Sequence, residues 1–202
     1  MLKEICLLRA GFIKWALSVF ILSFLLFMTL PAISSSLEDE KKEKFEVVKL
    51  RALSGHAEDQ LNLGVLYAEG FGVNRDDKEA IKWFTLSADQ GNAEAQTNLG
   101  YMYKMGDGVK KDYAEAVRYY KLAAYQNYSY AQIDLATMYH AGKGVTRDLV
   151  TAYAWLSISS FYNDESLLKD AAKDNMTQEQ IVKGQALAKV ISIEINRGAI
   201  PE

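Results

Sequence analysis

The sequence predicts an all-α solenoid, a superhelical stack of antiparallel helix pairs. Three observations predict it. Over most of the 202-residue chain the same residue types recur every 36 positions. Within each block, apolar residues step by three and four in two separate runs, as on two amphipathic helices. The break between the runs is itself repeated: "EGFGVNRD" at Glu69–Asp76, "MGDGVKKD" at Met105–Asp112 and "AGKGVTRD" at Ala141–Asp148.

The chain opens differently. Lys3, Arg9 and Lys14 precede the apolar run "WALSVFILSFLLFMTL", Trp15–Leu30, which is followed by Pro31 and "AISSS". Basic, apolar and then small residues make the pattern of a secretory signal peptide. The expected cleavage point is after Ser34 or Ser36. The run falls short of the roughly 20 residues that cross hydrocarbon comfortably, which favours a cleaved signal over an N-terminal membrane anchor for residues 1–36. With the positive charges all before the run, the following domain is expected to be translocated in either case.

Cys6, the only cysteine, lies in this segment, so the rest of the chain has no disulfide and no thiolate chemistry. The whole chain carries 23 basic and 26 acidic residues. Removing residues 1–36 takes away three bases and one acid and leaves a net charge of −5. An acidic balance argues against nucleic acid as a partner.

Residues 37–54 are predicted to be an N-terminal capping half-repeat. "LEDEKKEK", Leu37–Lys44, reads as a charged leader or first helical turn, and "EKFEVVKLRALSG", Glu43–Gly55, is in phase with "EAIKWFTLSADQG" 36 residues later. Three full blocks follow, at 55–90, 91–126 and 127–162. Gly55, Gly91 and Asn127 share a phase, as do Leu63, Leu99 and Leu135; Gly64, Gly100 and Ala136; Tyr67, Tyr103 and Tyr139; and Trp83, Tyr119 and Trp155. Ten of the 13 glycines lie on this lattice, so their placement is architectural.

In each block helix A carries steps such as Leu63, Leu66 and Tyr67, and helix B carries steps such as Ala80, Trp83 and Phe84. Gly70, Gly106 and Gly142 are predicted to end helix A with positive φ. Gly72, Gly108 and Gly144 permit the reversal, and Val73, Val109 and Val145 tuck under the hairpin. Asp76, Asp112 and Asp148 are placed to cap helix B. Residues 163–202 complete the array. "DESLLKDAAKD", Asp164–Asp174, is read as a degenerate helix A. A terminal helix is expected after Thr177 and Gln180, which have capping-box spacing. The alternation in Val190–Ile195 leaves a strand open for that stretch.

The Gly-x-Gly loop is not read as a phosphate site. No apolar strand precedes any copy, and both the third glycine of a dinucleotide fingerprint and a Gly-Lys-Ser/Thr ending are missing. His56 and His140 lie 84 residues apart on different phases, with nothing to complete a metal site. No serine sits in a nucleophile elbow. The capping aspartates obey the repeat symmetry, whereas catalysis breaks it. "NYS" at Asn127 and "NMT" at Asn175 match the glycosylation acceptor pattern and are read as chance. Tyr67, Tyr103 and Tyr139 are expected in the core. Tyr101, Tyr113, Tyr128 and Tyr130 fall off the shared core phases, either as packing between repeats or as anchors for a partner.

The blocks "AEDQLNLGVLYAEGFGVNRDDKEAIKWFTLSADQG" and "AEAQTNLGYMYKMGDGVKKDYAEAVRYYKLAAYQ" resemble Sel1-like repeats, relatives of the tetratricopeptide repeats. The resemblance rests on the Ala-rich helix A with Leu-Gly and Tyr, the Gly-x-Gly-Val loop, the acid, and the Ala-x-x-Trp/Tyr of helix B. It spans roughly residues 43–163 and is weaker in the third copy, where Ala136 replaces glycine.

It implies a right-handed superhelical solenoid whose concave side is lined by helix A, leaving Glu58, Asn62, Val65, Glu69, Glu94, Asn98, Tyr101, Lys104, Tyr130, Asp134, Thr137 and His140 free to bind. Asn62, Asn98 and Asp134 form a ladder on one phase, suited to clamping a peptide backbone. The expected function is an exported, non-enzymatic, monomeric adaptor that binds another protein or peptide in a bacterial periplasm or outside the cell. No cofactor, metal or nucleic acid is expected, and membrane contact is expected only through the N-terminal segment. The alternatives are a cell-wall hydrolase or peptidoglycan-binding protein, and a membrane-tethered envelope assembly component. The cysteine pairs of the Sel1-like members proposed as hydrolases are missing here.

Overall fold

The computed structural model describes residues 36–159, 170 and 172–198, and no strand occurs among them. Helix α1 covers residues 36–52. It is followed by α2 (Ala57–Glu69), α3 (Asp77–Asp89), α4 (Ala93–Met105), α5 (Tyr113–Ala124), α6 (Ser129–Ala141), α7 (Leu149–Ile158) and α8 (Gln178–Asn196). The expected export segment lies outside the described residues, as does most of the expected degenerate helix at 164–174.

Local rules explain the ends of these helices. The side chains of Asp76, Asp112 and Asp148 each accept two backbone N–H groups in the first turns of α3, α5 and α7. Each thereby satisfies donors that the first helical turn leaves unpaired. Gly106 ends α4 at φ +84°, and its N–H bonds to the Met102 carbonyl. Asp107 N–H reaches the same carbonyl at 3.1 Å, so one αL residue closes the helix. Each loop is then pinned to helix A by one recurrent bond, from Asp76, Asp112 and Asp148 N–H to the carbonyls of Tyr67, Tyr103 and Tyr139 at 2.9, 2.9 and 3.0 Å.

The second glycine has a role that the turn alone does not reveal. A Cβ on Gly144 would land on the carbonyl of Tyr113, at the start of the preceding helix B. The loop of each repeat is thus seated on the helix B before it.

Helices pack on their sequence neighbours, from α2 on α3 through to α7 on α8, as expected of a quasi-one-dimensional array. Leucines 63, 99 and 135 are fully buried. Helix α1 closes the first end through Phe45 and Ala52. The expected charged leader is already helical, so this cap extends further toward the N-terminus than Glu43.

The close approach of helix A to helix B depends on Gly64 and Gly100, where a Cβ would meet the rings of Phe84 and Tyr120 at 2.6 and 2.7 Å. In the third repeat Ala136 carries a Cβ, and Leu156 stands at the phase of those rings. The apparent weakness of the third copy is thus a matched pair of changes.

Helix α8 begins with the expected capping box of Thr177 and Gln180. It runs unbroken through Val190–Ile195, so the strand left open for that stretch is replaced by helix. Three residues explain this: Ala188 and Ile191 face α7 at helical spacing, and Gly184 brings the backbone onto Tyr153, where a Cβ would lie 2.7 Å from its ring.

Candidate functional site

The helix A face is formed by α2, α4 and α6, and the predicted binding residues stand on it. Glu58, Asn62, Glu69, Glu94, Tyr101, Tyr130, Thr137 and His140 are exposed, and Val65, Asn98, Lys104 and Asp134 are half-buried. None of the twelve is fully buried, although Val65 packs against the core around Leu61, Phe84 and Leu99. Tyr101 and Tyr130, about half exposed at 48% and 52%, differ from Tyr113 and Tyr128, which pack against the core around α5–α8. The rings of Tyr67, Tyr103 and Tyr139 lie at the core margin, half-buried.

Between α2 and α4 this face opens into a cavity of about 460 Å³. Val65, Ala68, Phe84, Tyr101 and Met102 form its apolar wall, and Asn98 reaches in from α4. Glu69, Asp77, Asp107 and Arg75 supply the charge. Arg75 grips Asp77 with two parallel hydrogen bonds, 2.9 and 3.1 Å, which neutralises that carboxylate. Glu69 and Asp107 make no ion pair among the described residues. Four predicted residues, Val65, Glu69, Asn98 and Tyr101, converge here.

One repeat later the equivalent groove is spanned by an ion pair. Lys104 Nζ donates to Asp134 Oδ1 at 2.7 Å, joining α4 to α6. The ammonium lies 5.3 Å from the centroid of the Tyr101 ring and 5.4 Å from that of Tyr120, within the range of a cation–π contact. The expected ladder of Asn62, Asn98 and Asp134 is therefore uneven. The side chains of the two asparagines make no hydrogen bond among the described residues, whereas Asp134 is committed to Lys104. Tyr120 is fully buried, and its Oη has no partner among the described residues. Burial, followed by the nearby Asp134 carboxylate, pushes its ionisation well above the ordinary tyrosine value.

Charge is sorted by layer. Helices α2, α4 and α6 carry Glu58, Asp59, Glu69, Glu94 and Asp134 against a single base, Lys104. Asp59 is paired with Arg51 of α1 at 2.8 Å. On α3 and α5 the bases Lys78, Lys82, Arg118 and Lys121 are balanced by the acids Asp77, Glu79, Asp89 and Glu115. The helix A face is the acidic one.

A second polar set shares a lattice phase and carries structure rather than binding. Gln60, Gln96 and Gln132 are buried. Gln90 and Gln126 donate to the first two at 2.7 Å, and Gln96 and Gln132 donate to the carbonyls of Ala88 and Ala124 at 3.2 Å. The common phase was the available signal. In the third repeat the donor phase is occupied by Tyr162, outside the described residues, and Gln132 Oε1 is left without a partner among those described.

A smaller cavity, about 310 Å³, lies between the third repeat and α8, lined by Tyr125, Tyr139, Trp155, Leu187 and Glu194 among others. There burial, with Glu194 close by, pushes the Tyr125 hydroxyl up to about 12. His56 and His140 are both exposed. Among the described residues no three His, Cys, Asp or Glu side chains converge on a metal position, and no helix is long and apolar enough to cross a membrane.

The Sel1 repeat family model matches residues 57–92, 93–128 and 129–160. A crystal structure of a Sel1 repeat protein from Oxalobacter formigenes is 31% identical, with a TM-score of 0.58 over 80% of this chain and 59% of its own. A protective antigen present in uropathogenic Escherichia coli strains, displaying an SLR fold, is also 31% identical, with a TM-score of 0.59 over 74% of this chain and 33% of its own. The chain thus spans about three-fifths and one third of the lengths of these two structures. No curated protein matches the chain.

Proposed function

The chain belongs to the Sel1 repeat family, whose repeats generally mediate protein–protein interaction on typically non-enzymatic scaffolds, and on that premise we propose that it is an adaptor holding a partner polypeptide on its helix A face. The observation that carries the reading is the cavity between α2 and α4. It gathers Val65, Glu69, Asn98 and Tyr101 around an apolar floor, on a face where Asn62 and Asn98 have unused hydrogen-bonding capacity. Exposed aromatic and amide groups around a desolvated pocket are the common form of an anchor site.

We place the adaptor in a bacterial envelope or outside the cell, because a basic-apolar-small leader precedes the repeats. Intact mass of the exported chain checks it. Loss of residues 1–34 or 1–36 marks a cleaved signal, and the full mass marks a membrane-tethered component.

The test of the binding face is site-specific photocrosslinking. A photoreactive residue is placed at Asn62, Tyr101 or Thr137 on the helix A face, and at Lys82 or Arg118 on helix B. The expected result is one discrete adduct from the helix A positions and none from the helix B positions. An adduct formed only from Lys82 or Arg118 would move the site to the other face.

A further inference from the structure

We propose that the polypeptide held on the helix A face is basic, and that one of its lysine or arginine side chains seats in the cavity between α2 and α4. The inference rests on the adaptor reading above and names the chemistry of the partner.

The protein carries an internal version of this contact. In the second groove Lys104 places its ammonium beside the rings of Tyr101 and Tyr120 and pairs with Asp134. In the first groove Ala68 stands at the phase of Lys104, and Phe84 at that of Tyr120. The ring remains and no cation stands at the Lys104 phase, leaving about 460 Å³ of open space whose own cation, Arg75, is held by Asp77. Cavities that accept ligands run about 300–1,000 Å³, so there is room for one long side chain.

The first groove also replaces the anion. Asn98 takes the phase of Asp134 and is neutral, but Glu69 and Asp107 line the same cavity. Neither is paired among the described residues, whereas Asp77 is already neutralised by Arg75. A lysine or arginine lays its aliphatic stem on an apolar wall while its charged head reaches anions at the rim, and Val65, Phe84 and Met102 supply that wall. The surrounding field agrees, because Glu58, Glu69 and Glu94 make no ion pair among the described residues, whereas Lys104, the one base on α2, α4 and α6, is committed to Asp134. An acidic surface draws a basic segment and repels an acidic one.

The test pans a library of random dodecapeptides against the full chain held in a mild detergent. The inference expects enriched peptides to share a lysine or arginine. Their affinity should fall about tenfold or more when that residue becomes norleucine, and similarly in the Glu69→Gln/Asp107→Asn variant, as for loss of a charge-assisted contact. Rising ionic strength should weaken binding as well. A second variant, Ala68→Lys/Asn98→Asp, copies the Lys104–Asp134 closure into the first groove and should abolish capture. Peptides without a cation that are still blocked by the closure would overturn this inference and leave the adaptor reading standing. Peptides indifferent to the closure, or no enrichment, would count against both.

Discussion

The two grooves on the helix A face are built from the same lattice and end in opposite states. Between the first and second repeats, Ala68 and Asn98 leave a cavity over Phe84. Between the second and third, Lys104 and Asp134 close over Tyr120. Two substitutions on equivalent phases turn an open cavity into an internal ion pair. A repeat scaffold can therefore hold its architecture constant and write function into the few positions that the architecture does not use. The buried ring differs as well: Tyr120 carries a hydroxyl without a partner among the described residues, whereas Phe84 has none to satisfy.

The largest expected effect tests whether both rings are structural. Phe84→Ala and Tyr120→Ala should each cost about 3–5 kcal/mol in urea unfolding, the usual loss for a buried ring. A loss below about 1 kcal/mol at either would show that groove to be collapsible and break the equivalence.

Gly100→Ala drives a Cβ to 2.7 Å from the Tyr120 ring and should cost about 1–3 kcal/mol through overpacking. The third repeat pairs Ala136 with Leu156, so the same change in a Tyr120→Leu background should be close to neutral. A full cost in both backgrounds would mean that the two positions are not coupled.

Tyr120→Phe copies the first groove's ring into the second. Removing a buried hydroxyl with no partner should stabilise the chain by about 1 kcal/mol, read as a higher urea midpoint with unchanged slope. A lower midpoint would show that the hydroxyl is satisfied. The smallest effect concerns the closure. A double-mutant cycle on Lys104 and Asp134 should give about 0.5–1 kcal/mol of coupling for a partly exposed pair, fading with salt. No coupling at low salt would mean that the second groove is not held shut by this pair.

Much of the fold was legible because the rules that set it are local. The αL cap at Gly106, the aspartate caps of α3, α5 and α7 and the capping box of α8 follow from residues within five positions of one another. What stayed hidden joins distant residues. Gly144 has the positive φ, +72°, that the reversal requires, but its second reason, the Tyr113 carbonyl of the preceding helix, is one that no turn rule mentions. The partnership of Lys104 with Asp134 was invisible because a 36-residue lattice aligns equivalent positions, whereas these two lie 30 residues apart on different phases. The Gln60–Gln90 and Gln96–Gln126 pairs show the same separation. The candidate site was legible as a face but not as a groove. Nothing in the spacing separates Asn98, left open, from Asp134, committed to a lysine.

The most direct test of the account is to close the open groove. The polypeptide captured through Asn62 is titrated against the full wild-type chain and against Ala68→Lys/Asn98→Asp, with unfolding curves confirming that both are equally folded. If the first groove is the anchor site, affinity falls about tenfold or more while stability is unchanged. Equal affinity for the two chains would contradict the account and place the partner elsewhere on the solenoid.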